Sequence, residues 1–342
     1  MSQQQRIKKD LDSHIYYTAN LYNPATATIA LNGNYVDNRS DIILNNPADY
    51  HCNVVRASIP ASDIPIFHFL DNAYALYMVY RGSTYTATVT FTQGDFSSAN
   101  PNNTFRNVYN YQAYCDMINN AFTNVYNQVN TAWSGAQPPQ SAPIMTYTPS
   151  TELFSIVLDD KYSPSIATAT TGTVQIYFNC PLGQQFETFD FNFYGYNSPT
   201  CFGLVVDNLN NGLNGTGTIT LVQEGSTIAV LQDIQGIAVV SNSIPVVAEQ
   251  LPLGNSTGSA PTLSVLLDLE TNVNNPVTSA GYYQYAPQIW RPIDMKNGSP
   301  LSRIDLSIYY YDRQGTLFPL VLSPGRNFNI KLLFEKKENL LT

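Results

Sequence analysis

The stretch Leu301-Ser302-Arg303-Ile304-Asp305-Leu306-Ser307-Ile308-Tyr309-Tyr310 decides the fold class. Ile304, Leu306, Ile308 and Tyr310 fall on one side, with Arg303, Asp305, Ser307 and Tyr309 on the other. A period of two is the mark of a strand buried on one face. The pattern stops at the turn Asp312-Arg313-Gln314-Gly315. It continues through the run 317–322 and resumes at Phe328, Ile330, Leu332 and Phe334. The chain therefore ends on the strands of a β-barrel or sandwich, and no catalytic motif accompanies them.

Working back from there, the chain reads as all-β with one helix. Strands are predicted at 25–31, 50–59, 74–81 and 84–92, the last two as a hairpin turning at Arg81-Gly82-Ser83. Tyr111, Tyr114, Cys115, Ile118, Ala121, Phe122, Val125 and Val129 recur at helical spacing. Asn110 stands where an N-cap belongs. Further strands are predicted at 144–147, 153–158 and 174–178. A second hairpin is predicted from 218–222 and 227–231. The continuous apolar run 263–269 suits a strand covered on both faces, and 289–293 is one more.

Leaving 25–31 to the N-terminal arm, three predicted strands precede residue 94 (50–59, 74–81 and 84–92), and five follow residue 260: 262–269, 289–293, 302–311, 316–322 and 327–335. Together they supply the eight strands of a single jelly roll. On that count 1–45 is an N-terminal arm with a first short strand. Residues 46–94 and 256–342 form the jelly roll, and 95–255 form a large inserted domain holding the helix. Two tandem sandwiches are the alternative arrangement.

Composition speaks for a surface committed to neighbours. Charged residues are 12% of the 342-residue chain, half the usual share, while 24 Tyr and 16 Phe enrich it in aromatics. Charge keeps monomers apart, so a charge-poor surface associates readily. A secreted β-protein with an asparagine-rich surface is the competing explanation. The net charge of −9 opposes nucleic-acid binding, and no specific contact with it is expected. Arg6, Lys8 and Lys9 form a small basic cluster in the arm, a candidate contact with an acidic neighbour. The arm has no apolar signal-peptide core, so synthesis in a cytoplasm is expected. Cys52, Cys115, Cys180 and Cys201 are scattered, and no disulfide framework is expected from them.

The search for chemistry comes out against an enzyme. His14, His51 and His68 lack partners at metal-ligand spacing, and the neighbours His51 and Cys52 point to opposite faces of a strand. Asp159-Asp160 and the pair Asp268 and Glu270 are carboxylates with ordinary roles in turns and on strands. The glycine loop around Gly212, Gly215 and Gly217 lacks the lysine of a phosphate cradle. No cofactor and no metal is expected. Tyr282, Tyr283 and Tyr285, with Trp290 beside them, form an aromatic cluster suited equally to an interface or a core.

Four stretches resemble the penton, or vertex, minor capsid proteins of virophages and Polinton-like viruses. They are Asn46 to Phe67 with its Val54-Val55-Arg56-Ala57-Ser58-Ile59-Pro60, the helix Tyr111 to Tyr126, Pro143 to Ile156, and Pro300 to Phe334. The resemblance implies an upright jelly roll with an outward insertion. It also implies five copies at each icosahedral vertex and a double jelly-roll major capsid protein around them. It further implies a virion location and, through the insertion, a host receptor as partner. The terminal strands and the arm are the expected contacts with the shell. Two other functions fit the composition: a carbohydrate- or receptor-binding β-module, and a β-fold glycoside hydrolase.

Overall fold

The computed structural model describes residues 14–92, 106–133, 139, 141–164, 173–206, 217–247, 250–252, 262–271, 281–296 and 299–337. These residues fall into two compact units. The first comprises 14–65 and 233–337, the second 66–92 and 106–232.

The first unit is an antiparallel sandwich with its core between two sheets. One sheet has the order His14–Tyr22, Asn327–Lys336, Tyr50–Pro60, Tyr282–Tyr285, and Ile293–Asp294 also pairs with Tyr50–Pro60. The other has the order Gln250–Pro252, Thr262–Glu270, Ile234–Ser241, Arg303–Asp312, Leu317–Pro319, with Asn34–Asn38 also on Arg303–Asp312. Its eight principal strands start at 14, 34, 50, 234, 262, 282, 303 and 327. The first sheet holds the first, eighth, third and sixth of them, and the second holds the second, seventh, fourth and fifth. That interleaving is the jelly roll. Its core takes Ile304, Leu306, Ile308 and Tyr310 from one sheet and Phe328, Ile330, Leu332 and Phe334 from the other, all buried. The alternation in the sequence therefore marks the inward faces of both strands.

Tyr17, on the first strand, closes one side of the sandwich. Its hydroxyl donates to Asp37 at 2.6 Å and lies 2.8 Å from the Tyr35 hydroxyl, both on the neighbouring edge of the other sheet. Arg39 stands over the Tyr17 ring at 5.2 Å and bonds Asp37 at 2.8 Å. The bond from Tyr17, and then that from Arg39, hold the Asp37 carboxyl below the ordinary carboxylate range.

The second unit lies wholly between the third and fourth of these strands in sequence. The helix Tyr111–Ala132 packs Tyr114, Ile118, Phe122 and Val125 into its core. Asn110 caps it, accepting from Ala113 N at 2.7 Å. A five-stranded sheet has the order Phe191–Phe193, Phe202–Leu204, Val174–Phe178, Ala75–Tyr80, Ser83–Thr88. A three-stranded sheet has the order Thr218–Val222, Leu153–Asp159, Ile144–Thr148. Asn119, on the same helix, brackets Met145: its side chain donates to Met145 O at 2.9 Å and accepts from Met145 N at 2.6 Å.

Several expectations need correction. The hairpin 74–92 does not belong to the jelly roll. Ala75–Tyr80 and Ser83–Thr88 extend the sheet of the second unit, because Leu76, Met78 and Tyr80 pack into that unit's core. The jelly roll instead takes His14–Tyr22 and Asn34–Asn38 from the supposed arm and Ile234–Ser241 from the supposed insertion. The divisions accordingly fall at 65/66 and 232/233, not at 94/95 and 255/256. Of 25–31 only Leu31 is in a strand, and of 289–293 only Ile293. Residues 227–231 are not a strand; Ile228–Leu231 is one helical turn that buries Ile228 and Leu231.

Cys180 and Cys201 form a disulfide in the second unit, which the scattered spacing did not suggest. It ties the short helix Cys180–Gln185 to the strand Phe202–Leu204. The bridge spans 21 residues, and closing such a loop in the unfolded chain is worth about 3 kcal/mol in the chain-entropy description. Cys201→Ser should lower the melting temperature of this unit. Dithiothreitol should shift the wild type by a similar amount and leave the variant where it is. Cys52 and Cys115 are free and buried, and burial pushes both thiols up to about 12, which leaves them unreactive.

Candidate assembly surface

A strand that buries one side chain presents the next to solvent. On the first sheet of the sandwich, Ile15, Tyr17, Ala19 and Leu21 turn inward, so Tyr16, Thr18, Asn20 and Tyr22 turn out. Register then builds rows across the sheet. Asn20 pairs with Asn329, Asn329 with Ser58, and Ser58 with Gln284. Tyr16 pairs with Leu333, and Leu333 with Asn53, but Leu333 and Asn53 are both buried, so only the Tyr16 end of this row is open to solvent. Most of these outward side chains are asparagine, serine, threonine, glutamine or tyrosine.

They bond to one another across the strands. Tyr282 donates to Asn327 Oδ1 at 3.2 Å, and Asn327 Nδ2 donates to Asn20 Oδ1 at 3.2 Å. Gln284 donates to Ser58 Oγ at 3.0 Å, and Arg56 to Asn329 Oδ1 at 3.1 Å. Lys331 lies over the Tyr16 ring at 4.7 Å. Tyr16 and Tyr22 remain 52% and 51% exposed, large rings standing open on a polar face where Arg56 and Lys331 stand among uncharged side chains. Covering such a face removes aromatic area from water while few charges must be desolvated.

One end of the face is ionic. His14 Nε2 is 3.4 Å from Glu335, His51 Nδ1 is 3.2 Å from Asp294, and Lys337 Nζ is 2.9 Å from Asp294. The Lys337 ammonium, with His51 as a smaller influence, holds the Asp294 carboxyl below its ordinary range. Cys52, beside His51 in sequence, faces the core.

The structure divides the predicted aromatic cluster. Tyr283 and Tyr285 pack against the core of the sandwich, whereas Tyr282 lies on the outward face. Trp290 is half-buried in the segment after them. Arg6, Lys8 and Lys9 lie outside the described residues. Sequence reasoning missed Tyr16 and Tyr22, because the strand carrying them was assigned to the arm; the alternation of Ile15, Tyr17, Ala19 and Leu21 was the available signal.

Two of the four carboxylates weighed for chemistry, Asp159 and Asp268, have structural partners. Asp159 Oδ1 accepts from Lys161 N at 2.9 Å, capping a helical turn. Asp268 accepts from the Tyr311 hydroxyl at 2.8 Å. No three His, Cys, Asp or Glu among the described residues converge as metal ligands.

A jelly roll with a mostly uncharged, tyrosine-bearing sheet face, carrying a folded unit between its third and fourth strands, suits a building block of a shell. Comparisons with known proteins agree. The family model of Sputnik minor capsid protein V18/19 matches residues 15–336. Structural protein V19 of Sputnik virophage is 28% identical over 205 residues, 56% of this chain and 93% of that protein. A chain in the cryo-EM structure of the Sputnik virophage superposes with a TM-score of 0.71 at 24% identity, covering 95% of this chain and 98% of that one. The mavirus penton protein superposes with a TM-score of 0.62 at 21% identity, covering 95% and 99%.

The fold and these likenesses define a structural capsid protein, not an enzyme. The chain belongs to the Sputnik minor capsid protein V18/19 family, and its place is the capsid of a virion. The resemblance to virophage minor capsid proteins that four stretches of sequence carried is borne out.

Proposed function

We propose that this chain is a penton: five copies close a ring at each five-fold vertex of an icosahedral capsid. A double jelly-roll major capsid protein surrounds the ring, and the inserted unit meets a receptor on the host. The observation that carries the ring is the outward face of the first sheet, with Tyr16 and Tyr22 open on a charge-poor, hydrogen-bonded surface. A ring needs two different surfaces on each copy, one meeting the other head to tail. The likeness in fold to the mavirus penton protein supports five as the number that closes it.

Native mass spectrometry of the recombinant chain tests this. The expected species has five times the 37.9 kDa chain mass, and particle images should show five-fold symmetry. Tyr16→Glu with Tyr22→Glu puts two charges on the face and should leave monomers of unchanged fold. A wild-type monomer that also stays off the vertices of shells made with the coat protein would refute the reading.

A further inference from the structure

The second unit holds a cleft that capsid assembly leaves without a role. It has a volume of about 370 Å³, within the range of small-ligand sites. Its floor is the face of the five-stranded sheet opposite the core. Val174, Ile176 and Phe178 turn into the core, so Gln175 and Tyr177 turn the other way. Tyr177 stands in register with Gly203, and Gly203 with Asn192, on three neighbouring strands. Tyr194 follows Asn192 by two residues and is 56% exposed.

Gly203 shapes the site. A Cβ there would lie 2.8 Å from Tyr194 Cε2 and 2.9 Å from Tyr177 Cε1, closer than side chains pack. Glycine thus lets the two rings converge, with centroids 5.8 Å apart and planes at 59°. The Cys180–Cys201 bridge pins the same strand two residues earlier. The Tyr177 hydroxyl donates to Gln175 Oε1 at 3.0 Å. That bond leaves the two amide donors of Gln175 unspent.

The lining excludes most ligand classes. None of the described lining residues carries a charge. A phosphate, carboxylate or cation would leave water with no partner of opposite sign, at high cost. Leu204, Val205 and Val206 also line the cleft, but an acyl chain laid on them would leave the neighbouring amides and phenols without partners. A neutral sugar meets the site on both counts. Its C–H faces pack on the aromatic rings, and its hydroxyls find donors and acceptors in Gln175, Asn192, Tyr177 and Tyr194.

We propose that this cleft binds the neutral terminal residue of an oligosaccharide, a hexose or N-acetylhexosamine, against the tilted pair of rings Tyr177 and Tyr194. The proposal deepens the receptor reading above and rests on it only for its biological use.

The test is a glycan array probed with the full chain, carrying neutral-ended oligosaccharides beside sialylated and sulfated ones. Calorimetric titration with the strongest soluble binder follows. Neutral-ended glycans should bind, and Tyr194→Ala and Asn192→Ala should each weaken binding about ten-fold or more with melting unchanged. Binding of no neutral glycan, binding of sialylated or sulfated ones alone, or affinity untouched by both variants overturns the proposal. Competition by the free glycan against particle attachment to cells separates the two readings. Cleft binding without competition supports the sugar site and refutes its use as the receptor contact.

Discussion

Phe334→Ala is expected to cost the sandwich about 3–5 kcal/mol, the usual loss for a large buried aromatic ring. Phe334 is fully buried on Asn327–Lys336, a central strand that pairs on one side with Ile15 and on the other with Cys52. Loss of its ring leaves a cavity bounded by two neighbouring strands. The chain's two tryptophans make the effect measurable, because Trp290 lies in the first unit and Trp133 in the second. In single-tryptophan backgrounds, the denaturation midpoint reported by Trp290 should fall. The midpoint reported by Trp133, which stacks on Tyr80 at 4.3 Å, should stay. Equal shifts in both would show that the units unfold as one body.

The second large effect falls on Asp305. Its Oδ1 accepts from Ser241 Oγ at 2.8 Å and from Asn242 N, Ser243 N and Ser243 Oγ at 2.9 Å, while its own N donates to Ser243 Oγ at 2.8 Å. One carboxylate thus holds the turn that follows the strand Ile234–Ser241. Burial pushes its pKa up, but these bonds outweigh burial and keep the carboxyl below the ordinary range. Asp305→Ala strips the turn of its acceptor and should cost about 2–4 kcal/mol near neutrality.

The pH dependence has a definite sign. A depressed folded-state pKa gives stability that is present above the unfolded value, about 4, and lost as pH falls through the folded value. The gap between the wild type and Asp305→Asn should therefore be constant above about pH 5 and shrink in more acidic solution. Urea midpoints measured across that range check it. A gap that widens on acidification would contradict this account.

The sequence showed the fold where one face was apolar and the other polar. Arg303–Asp312 and Asn327–Lys336 alternate because each has a wet side. Ile234–Ser241 is almost wholly buried, with Ala238, Val240 and Val265 covered by Tyr309 and Leu317 on the outer side. With no wet side it has no period, so it vanished into the supposed insertion. His14–Tyr22 failed for another reason: Tyr17 faces in while Tyr16 and Tyr22 face out, so the same residue type stands on both sides. The hairpin Ala75–Thr88 shows a third limit, since alternation reveals that a face is buried but not in which core. The candidate surface shared these fates, because Tyr16 and Tyr22 lie on the strand that was missed. The disulfide had no local signal at all.

The strand order also governs when a newly made chain becomes competent to join others. Residues 66–232 leave the ribosome as one continuous stretch and can fold while synthesis goes on. The neutral sheet face cannot, because Asn327–Lys336 lies between His14–Tyr22 and Tyr50–Pro60 and is translated after both. A prematurely terminated chain lacks the strip that unites its edge strands. On the assembly proposed above, such a chain lacks the face through which copies would join, and strand interleaving would then act as a length check.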